Sequence, residues 1–255
     1  MKLGHESPTS EFYGLLQAAY DHFNTRLFGG QLPPCMITVQ RKRNTMGYFS
    51  PLRWANADGR KSHEIALNPA YFGNHSLIEI FQTLGHEQCH LWQHEFGKPS
   101  RAGYHNREWA DKMLSIGLIP SDTGEPGGKQ TGQKMSDYPE PGGVFLQACI
   151  ELISSGFNIP WIDRFIAASE NCHVRHIKNP VPETPAGKAE KRARSLLETK
   201  ISELVSGLAE PEEIKAAART KQKVRYHCAG CGANVWGKPG LNIACGECDL
   251  PFEVK

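Results

Sequence analysis

The 255-residue chain has no apolar run approaching the roughly 18 residues of a membrane span. Its opening stretch, MKLGHESPTSEF, lacks an apolar segment of secretory-signal length. A membrane anchor and an exported precursor are therefore not expected, and the protein should be cytoplasmic. Charge of one sign is also missing. The 29 Lys+Arg against 27 Asp+Glu leave a formal net charge of +2, which neither demands nor excludes a nucleic-acid partner and leaves any basic surface to local clustering. There is no internal repeat. Cysteine pairing is sparse: of eight cysteines, only Cys228, Cys231, Cys245 and Cys248 form C-x-x-C pairs, while Cys35, Cys89, Cys149 and Cys172 are scattered. In a reducing compartment this reads as one metal site plus four free thiols that behave as small buried hydrophobes. With 39% hydrophobic residues, a chain of this length holds one medium domain and a small appendage.

Periodicity places the elements. Phe12, Leu15, Leu16, Ala19, Phe23 and Leu27 recur at helical spacing between Thr9 and Leu27, and Gly29-Gly30 ends the pattern. Met36–Gln40, Met46–Phe49 and His63–Leu67 are strand-like and bounded by turn residues, which predicts a small antiparallel sheet. Ser76 and Glu79 have the spacing of a capping box. The helix behind them runs to about Phe96 with Leu77, Ile80, Phe81, Leu84 and Leu91 on one stripe, and Gly97 with Pro99 stops it. A second helix is expected from near His105 through Trp109 and Met113 to Ser115, and a third from Val144 to Ser155. Between them, Pro120 to Gly143 is rich in Gly, Pro, Ser and Thr and reads as a long loop.

The helix that begins at the capping box contains His86-Glu87-Gln88-Cys89-His90. Residues four apart on a helix share a face, so both imidazoles can meet one ion. Zinc takes neutral imidazole nitrogens at roughly 2.0–2.1 Å, and a hydrolytic site uses three protein ligands with one position open to water. Glu87 points beside the metal, where a carboxylate can take a proton from water that the ion acidifies towards a pKa of about 7. This is the logic of the H-E-x-x-H motif. One straight helix cannot surround a tetrahedral ion, so a third ligand must come from beyond it. His94, His105 and Glu108 are the candidates. His94 drifts away along the helix, whereas His105 follows a Gly-Lys-Pro-Ser-Arg-Ala-Gly reversal that can return the chain to the ion, so His105 is the choice. Glu108 keeps the carboxylate alternative open. The long metzincin pattern needs Gly at 93 and His at 96, where this chain has Gln93 and Phe96.

These blocks resemble the SprT-like metallopeptidases, the Spartan-related family, in a bacterial or mobile-element form with a C-terminal zinc ribbon. The resemblance covers roughly residues 10 to 120: a first helix followed by FGGQLP, a strand, HEIALNP, LGHEQCHLWQH and GYHNREW. It implies an α+β fold of the small zincin type, cleavage of protein substrates, zinc on His86, His90 and His105, and Glu87 as the base. Residues 124 to 166 have no counterpart in the family core as read here.

The two C-terminal C-x-x-C pairs have thirteen residues between them, close to the spacing of a four-thiolate structural zinc site. A module of about thirty residues cannot bury enough surface to fold alone, so the metal must supply the folding free energy. Lys221, Lys223, Arg225 and Lys238 surround Tyr226 and Trp236, a composition that suits phosphate contact and base stacking as well as it suits a solvated face with core aromatics. The run from Lys188 to Arg194 reads as solvated linker. The expected organisation is a catalytic domain over 9–120, a loop and helical extension packed on it over 121–172, a basic and partly helical linker over 173–223, and a four-cysteine zinc ribbon over 224–255.

The expected function is a zinc-dependent metalloendopeptidase acting on DNA-bound or DNA-crosslinked proteins, with one catalytic and one structural zinc. Single-stranded or damaged DNA is the expected second partner. Tyr104, Tyr138 and Arg107 are unranked candidates for an added oxyanion donor. The competing expectation is a zinc-ribbon DNA-binding or regulatory protein whose histidine site is not catalytic.

Overall fold

Helix α1 (Pro8–Phe28) starts where the Ser7 hydroxyl accepts the Ser10 amide at 3.3 Å and Pro8 occupies a first-turn position that needs no N–H. It stops at Gly29, which adopts φ 63°, a left-handed conformation suited to glycine, and the Gly30 amide donates back to the Asn24 carbonyl at 2.9 Å. The Asn24 carboxamide then clamps both the N–H and the C=O of Leu32 at 3.0 Å, which fixes the FGGQLP turn against the helix. The computed structural model describes residues 7–166, 185–208 and 223–255. The chain divides into two units, residues 1–208 and 209–255. The readings of Cys172, Lys221 and most of the basic linker fall outside the described residues.

In the first unit, β1 (Met36–Val39), β2 (Gly47–Ala55) and β3 (Lys61–Leu67) form a sheet in the order β1-β3-β2. The β2–β3 pair is antiparallel as expected, but β1 runs parallel to β3, from Met36 opposite Glu64 to Val39 opposite Leu67. The sheet is therefore mixed rather than wholly antiparallel. β2 and β3 form the local hairpin, and β1 takes the free edge of β3. There the Thr38 hydroxyl and the Gln40 amide both donate to Glu64, at 2.7 and 2.8 Å. With a strand on each side, β3 is buried continuously from His63 to Leu67 rather than on alternate residues. The β2–β3 register slips between Ser50 and Trp54, where Leu52 adopts φ 48°.

A short helix, α2 (Pro69–Phe72), leads to α3 (Leu77–Phe96). The capping box is present: Glu79 reaches back to accept the Ser76 amide at 2.8 Å. α3 packs on β2 and β3, on α1, and on α4 (Arg107–Ser115), whose cap Asn106 accepts the Trp109 amide at 3.0 Å. Gly85 lets Leu118 and Phe145 close on α3, since a Cβ there would stand 3.2 Å from Leu118 Cδ1 and 3.4 Å from the Phe145 ring.

The expected loop from Pro120 to Gly143 is corrected by the structure. β4 (Leu118–Ser121) pairs antiparallel with β5 (Ser136–Pro139), and an excursion of the chain connects them. Ser-Asp-Tyr-Pro carries no alternating apolar pattern, so its strand character comes from pairing and not from propensity. α5 (Val144–Ser154) packs against α1, where the Phe23 ring meets Phe81 at 5.3 Å and Phe145 at 5.8 Å. Each such ring pair contributes about 0.5–1.5 kcal/mol beyond its buried area.

α6 (Pro185–Glu198) packs on α5 and α3 through buried Ala193 and Leu197, while Lys188, Lys191 and Arg192 are exposed. Part of the expected linker is thus built into the core, with its cationic side solvated. It is followed by α7 (Ile201–Leu204), where the Ile201 and Ser202 amides donate to the His75 and Gly73 carbonyls just ahead of α3.

The second unit holds an antiparallel sheet β7-β6-β8 made of β6 (Val224–Cys228), β7 (Asn234–Gly237) and β8 (Phe252–Val254). The chain is thus α+β, with helices, small and mainly antiparallel sheets, and a C-terminal cysteine cluster. Among the described residues, no helix is long and apolar enough to cross a membrane.

Candidate metal centres

Helix α3 buries four polar side chains, Gln82, Glu87, Gln88 and Gln93. Burying a polar group is unfavourable unless it is hydrogen-bonded, so their partners are informative. Gln88 donates to the Tyr20 carbonyl at 3.0 Å and ties α3 to α1. Gln82 donates at 3.0 Å to both the carbonyl and the carboxylate of Asp137. Gln93 donates at 2.7 Å to Asn106 and to Glu108, and Glu108 also accepts the Lys98 amide at 2.7 Å. Gly97 leaves room for that carboxylate, because a Cβ there would lie 2.5 Å from Glu108 Oε2. Glu108 is thereby committed to holding the turn between α3 and α4. Glu87 is buried with the Phe49 backbone amide beside it.

His86, His90 and His105 come together. The Nε2 atom of His105 lies 3.2 Å from that of His86 and 3.1 Å from that of His90. Imidazoles on a tetrahedral zinc with bonds of about 2.0 Å have nitrogens about 3.3 Å apart, so the spacing fits the ion. The tautomers fit as well. Asp137 Oδ2 lies 3.2 Å from His86 Nδ1, and the Gly132 carbonyl lies 3.2 Å from His105 Nδ1. Both partners only accept, so each ring carries its proton on Nδ1 and turns the Nε2 lone pair inward. Lone pairs facing one another at this distance repel unless a cation sits between them. The main chain of His105 is pinned to Gly132 by amide–carbonyl bonds of 2.8 and 3.1 Å, so the excursion between β4 and β5 sets the third histidine. Beneath the cluster lies the fully buried Trp109, with its ring centroid 4.3–5.4 Å from the three imidazoles.

The electrostatics favour the neutral, ligating ring at two of the three histidines. Burial, then the charge of His86, lowers His105 to about 4, and burial pushes His90 well below the usual histidine range, so both are neutral at pH 7. Burial acts on His86 in the same sense, but the hydrogen bond it donates to Asp137 and the charge of Glu87 outweigh it and raise the pKa. Glu87 is also raised, by burial, against the opposing pull of His86 and the Phe49 amide. The group opens onto a cleft of about 930 Å³ lined by Met46 and the start of β2 to Phe49, by Arg101–His105 and by Gln133–Asp137.

The other sequence candidates are not part of the three-histidine cluster. His94 sits with His63 and Glu95 in a separate cluster. Tyr104 lines the cleft, Tyr138 on β5 pairs with Ile119 on β4, and Arg107 is held by Asp111 at 2.7 Å and Gln130 at 3.2 Å. Asp137 and Gly132 were not foreseen. An aspartate in a polar, glycine-rich stretch carries no local mark of a histidine 51 positions earlier.

In the second unit, Cys228, Cys231, Cys245 and Cys248 form one cluster, with the Cys231 and Cys245 sulfurs 3.6 Å apart. Zn–S bonds of about 2.3 Å imply sulfur separations near 3.8 Å, so this donor set also fits the ion. The Cys231 amide, aimed at Cys228, helps to lower that thiol to about 7. The two aromatics divide. Tyr226 is core and donates to the Lys238 carbonyl, whereas Trp236, opposite Arg225, is 63% exposed.

A protein with a three-histidine cluster on an α+β domain and a four-cysteine cluster behind it is the class that fold and site define. Residues 16–125 match the SprT-like family model, and the chain belongs to the SprT-like family through that segment. It is also 48% identical over 62 residues, 24% of this chain and 80% of the relative, to a Salmonella typhimurium protein described as "Uncharacterized protein in mucB 3'region". No solved structure matches.

Proposed function

We propose that the chain is a zinc-dependent metalloendopeptidase in which His86, His90 and His105 hold the ion and Glu87 is the catalytic base. The observation that carries this reading is the convergence of three Nε2 atoms beside a buried carboxylate in an open cleft. Among the described residues the histidine cluster has three protein donors, which leaves a tetrahedral ion one position for water or substrate. When bound, zinc supplies Lewis acidity towards water and the scissile carbonyl. Glu87, with a carboxyl raised in pKa by burial, accepts the proton of the attacking water and delivers it to the leaving amine. Asp137 and Gly132 act as positioning groups that hold His86 and His105 in the ligating tautomer. The second zinc is structural and sits on Cys228, Cys231, Cys245 and Cys248.

The substrate reading is proteins bound or crosslinked to DNA, with the ribbon contacting single-stranded or damaged DNA. Exposed Trp236 beside Arg225, with Lys223 and Lys238 in the same unit, supports it as a stacking platform with cations for phosphate. Incubation of the zinc-loaded protein with a DNA-binding protein, with and without single-stranded DNA, tests both parts. The wild type is expected to cleave, and Glu87→Gln to retain zinc and lose about 10²–10⁴-fold in rate. Undiminished cleavage by Glu87→Gln removes Glu87 as the base. A fully zinc-loaded wild type that cleaves nothing leaves the non-catalytic DNA-binding reading.

A further inference from the structure

His63 on β3 meets His94 and Glu95 at the last turn of α3, a group separate from the three-histidine cluster. The His63 Nε2 atom lies 3.2 Å from Glu95 Oε1, and the His94 Nε2 atom lies 4.0 Å from the same oxygen. The two rings meet edge-on at 5.0 Å, and all three donor atoms lie within 4.8 Å of one another. His63 is buried, whereas His94 and Glu95 are partly exposed and have room to turn towards an ion.

We propose that His63, His94 and Glu95 form a further binding site for a borderline divalent ion, Zn²⁺ or its neighbours Cu²⁺ and Ni²⁺. Two imidazoles and a carboxylate are a donor set that these ions accept, whereas calcium and magnesium require shells made of oxygen. The strand supplies one ligand and the helix two, so the ion cross-links β3 to the end of α3.

Loading this site moves one proton. The Leu52 amide donates to His63 Nδ1 at 3.2 Å, so the metal-free neutral ring carries its proton on Nε2 and donates it to Glu95. An ion on Nε2 requires that proton on Nδ1. The proton therefore leaves Nε2 for Nδ1, the ring stays neutral, and the Leu52 amide loses its acceptor. Leu52 sits at φ 48°, a left-handed conformation that a leucine rarely adopts, so the bond being exchanged is one that holds an unfavourable turn.

The same site touches the cleft. The Phe49 ring lies 5.6 Å from His63 and 5.9 Å from His94, its backbone amide is beside Glu87, and His94 lines the cleft. Zinc in excess of that needed to fill the three-histidine centre is therefore expected to inhibit cleavage. That consequence rests on the peptidase reading, whereas binding of the ion does not.

Native mass spectrometry of the full chain in buffered free zinc tests the site. The wild type is expected to take up two ions first and a third at higher free zinc, while His94→Asn and Glu95→Gln stop at two. Nitrogen-15 NMR of the histidine rings is expected to show His63 passing from the Nε2–H to the Nδ1–H tautomer as the third ion enters. His86→Ala is expected to lose one of the first two ions and keep the late one, so a failure of the catalytic centre reads out separately. A wild type that stops at two ions, variants that load like the wild type, or an unchanged His63 tautomer overturns the proposal.

Discussion

His86 and His90 stand on a helix of 20 residues, twelve of which are buried where it packs on α1, α4 and the first sheet. The four cysteines stand on a segment where, among the described residues of 223–255, only Tyr226, Cys228 and Cys245 are buried hydrophobic side chains. The histidine donors are held by a core that exists for other reasons, with Asp137 and Gly132 turning the rings. The cysteine donors have almost no core to hold them, so the ion must take its place. The same element, bound in the two units, is therefore expected to play different parts: chemistry on a preformed site in one and folding in the other.

The largest test of that contrast is metal removal. Chelation is expected to leave the helical circular dichroism of the first unit largely intact and to collapse the NMR dispersion of residues 224–255, because structural zinc contributes about 10–16 kcal/mol to such small modules. A ribbon that keeps its dispersion without metal breaks the comparison. Thiol alkylation sharpens it. After chelation the four cysteines of the second unit are expected to react together and first, while Cys35, raised to about 12 mainly by burial, and buried Cys89 and Cys149 stay protected until the first unit unfolds.

The contrast also governs what could be read from the sequence. Candidate ligand pairs that lie within one element announce themselves, because His86 and His90 are one helical turn apart and the cysteines of each C-x-x-C pair are three positions apart. The helices around them were legible for the same reason, since the capping box at Ser76 and the stripe behind it are local. Pairings that cross the chain were not. The parallel pairing of β1 joins segments about 28 positions apart, β5 has no apolar alternation, and Asp137 becomes a partner of His86 only once β5 lies on β4. The roles of Glu108 and His94 were settled by distant contacts as well, one with Gln93 and Lys98, the other with His63.

Asp137 is where the preformed character of the histidine centre can be weakened without touching a ligand. Asp137→Asn keeps the shape and removes the carboxylate that fixes the His86 tautomer. Zinc affinity at the histidine centre is expected to fall about 10–100-fold, the usual effect of losing such a partner, with the ribbon unaffected. Competition against a chelator of known affinity measures it, and wild-type affinity in the variant removes the positioning role from Asp137.

The smallest expected effect lies at the start of α3, far along the helix from the ligands it carries. Glu79 caps the helix through Ser76 and stands 3.1 Å from the His75 ring nitrogen. Burial pushes its pKa up, but the hydrogen bonds from His75 and Ser76 outweigh burial and leave it lowered. A carboxyl depressed in the folded state stabilises the protein above its unfolded pKa of about 4.3, and that stabilisation disappears as the pH falls through the lower folded value. Glu79→Ala is therefore expected to be less stable than the wild type by about 1 kcal/mol at pH 7, with the difference shrinking below roughly pH 4. Urea unfolding of the first unit at pH 7 and pH 3.5 checks the sign. A difference that is the same at both values means that the carboxylate charge plays no part in holding the helix that carries His86 and His90.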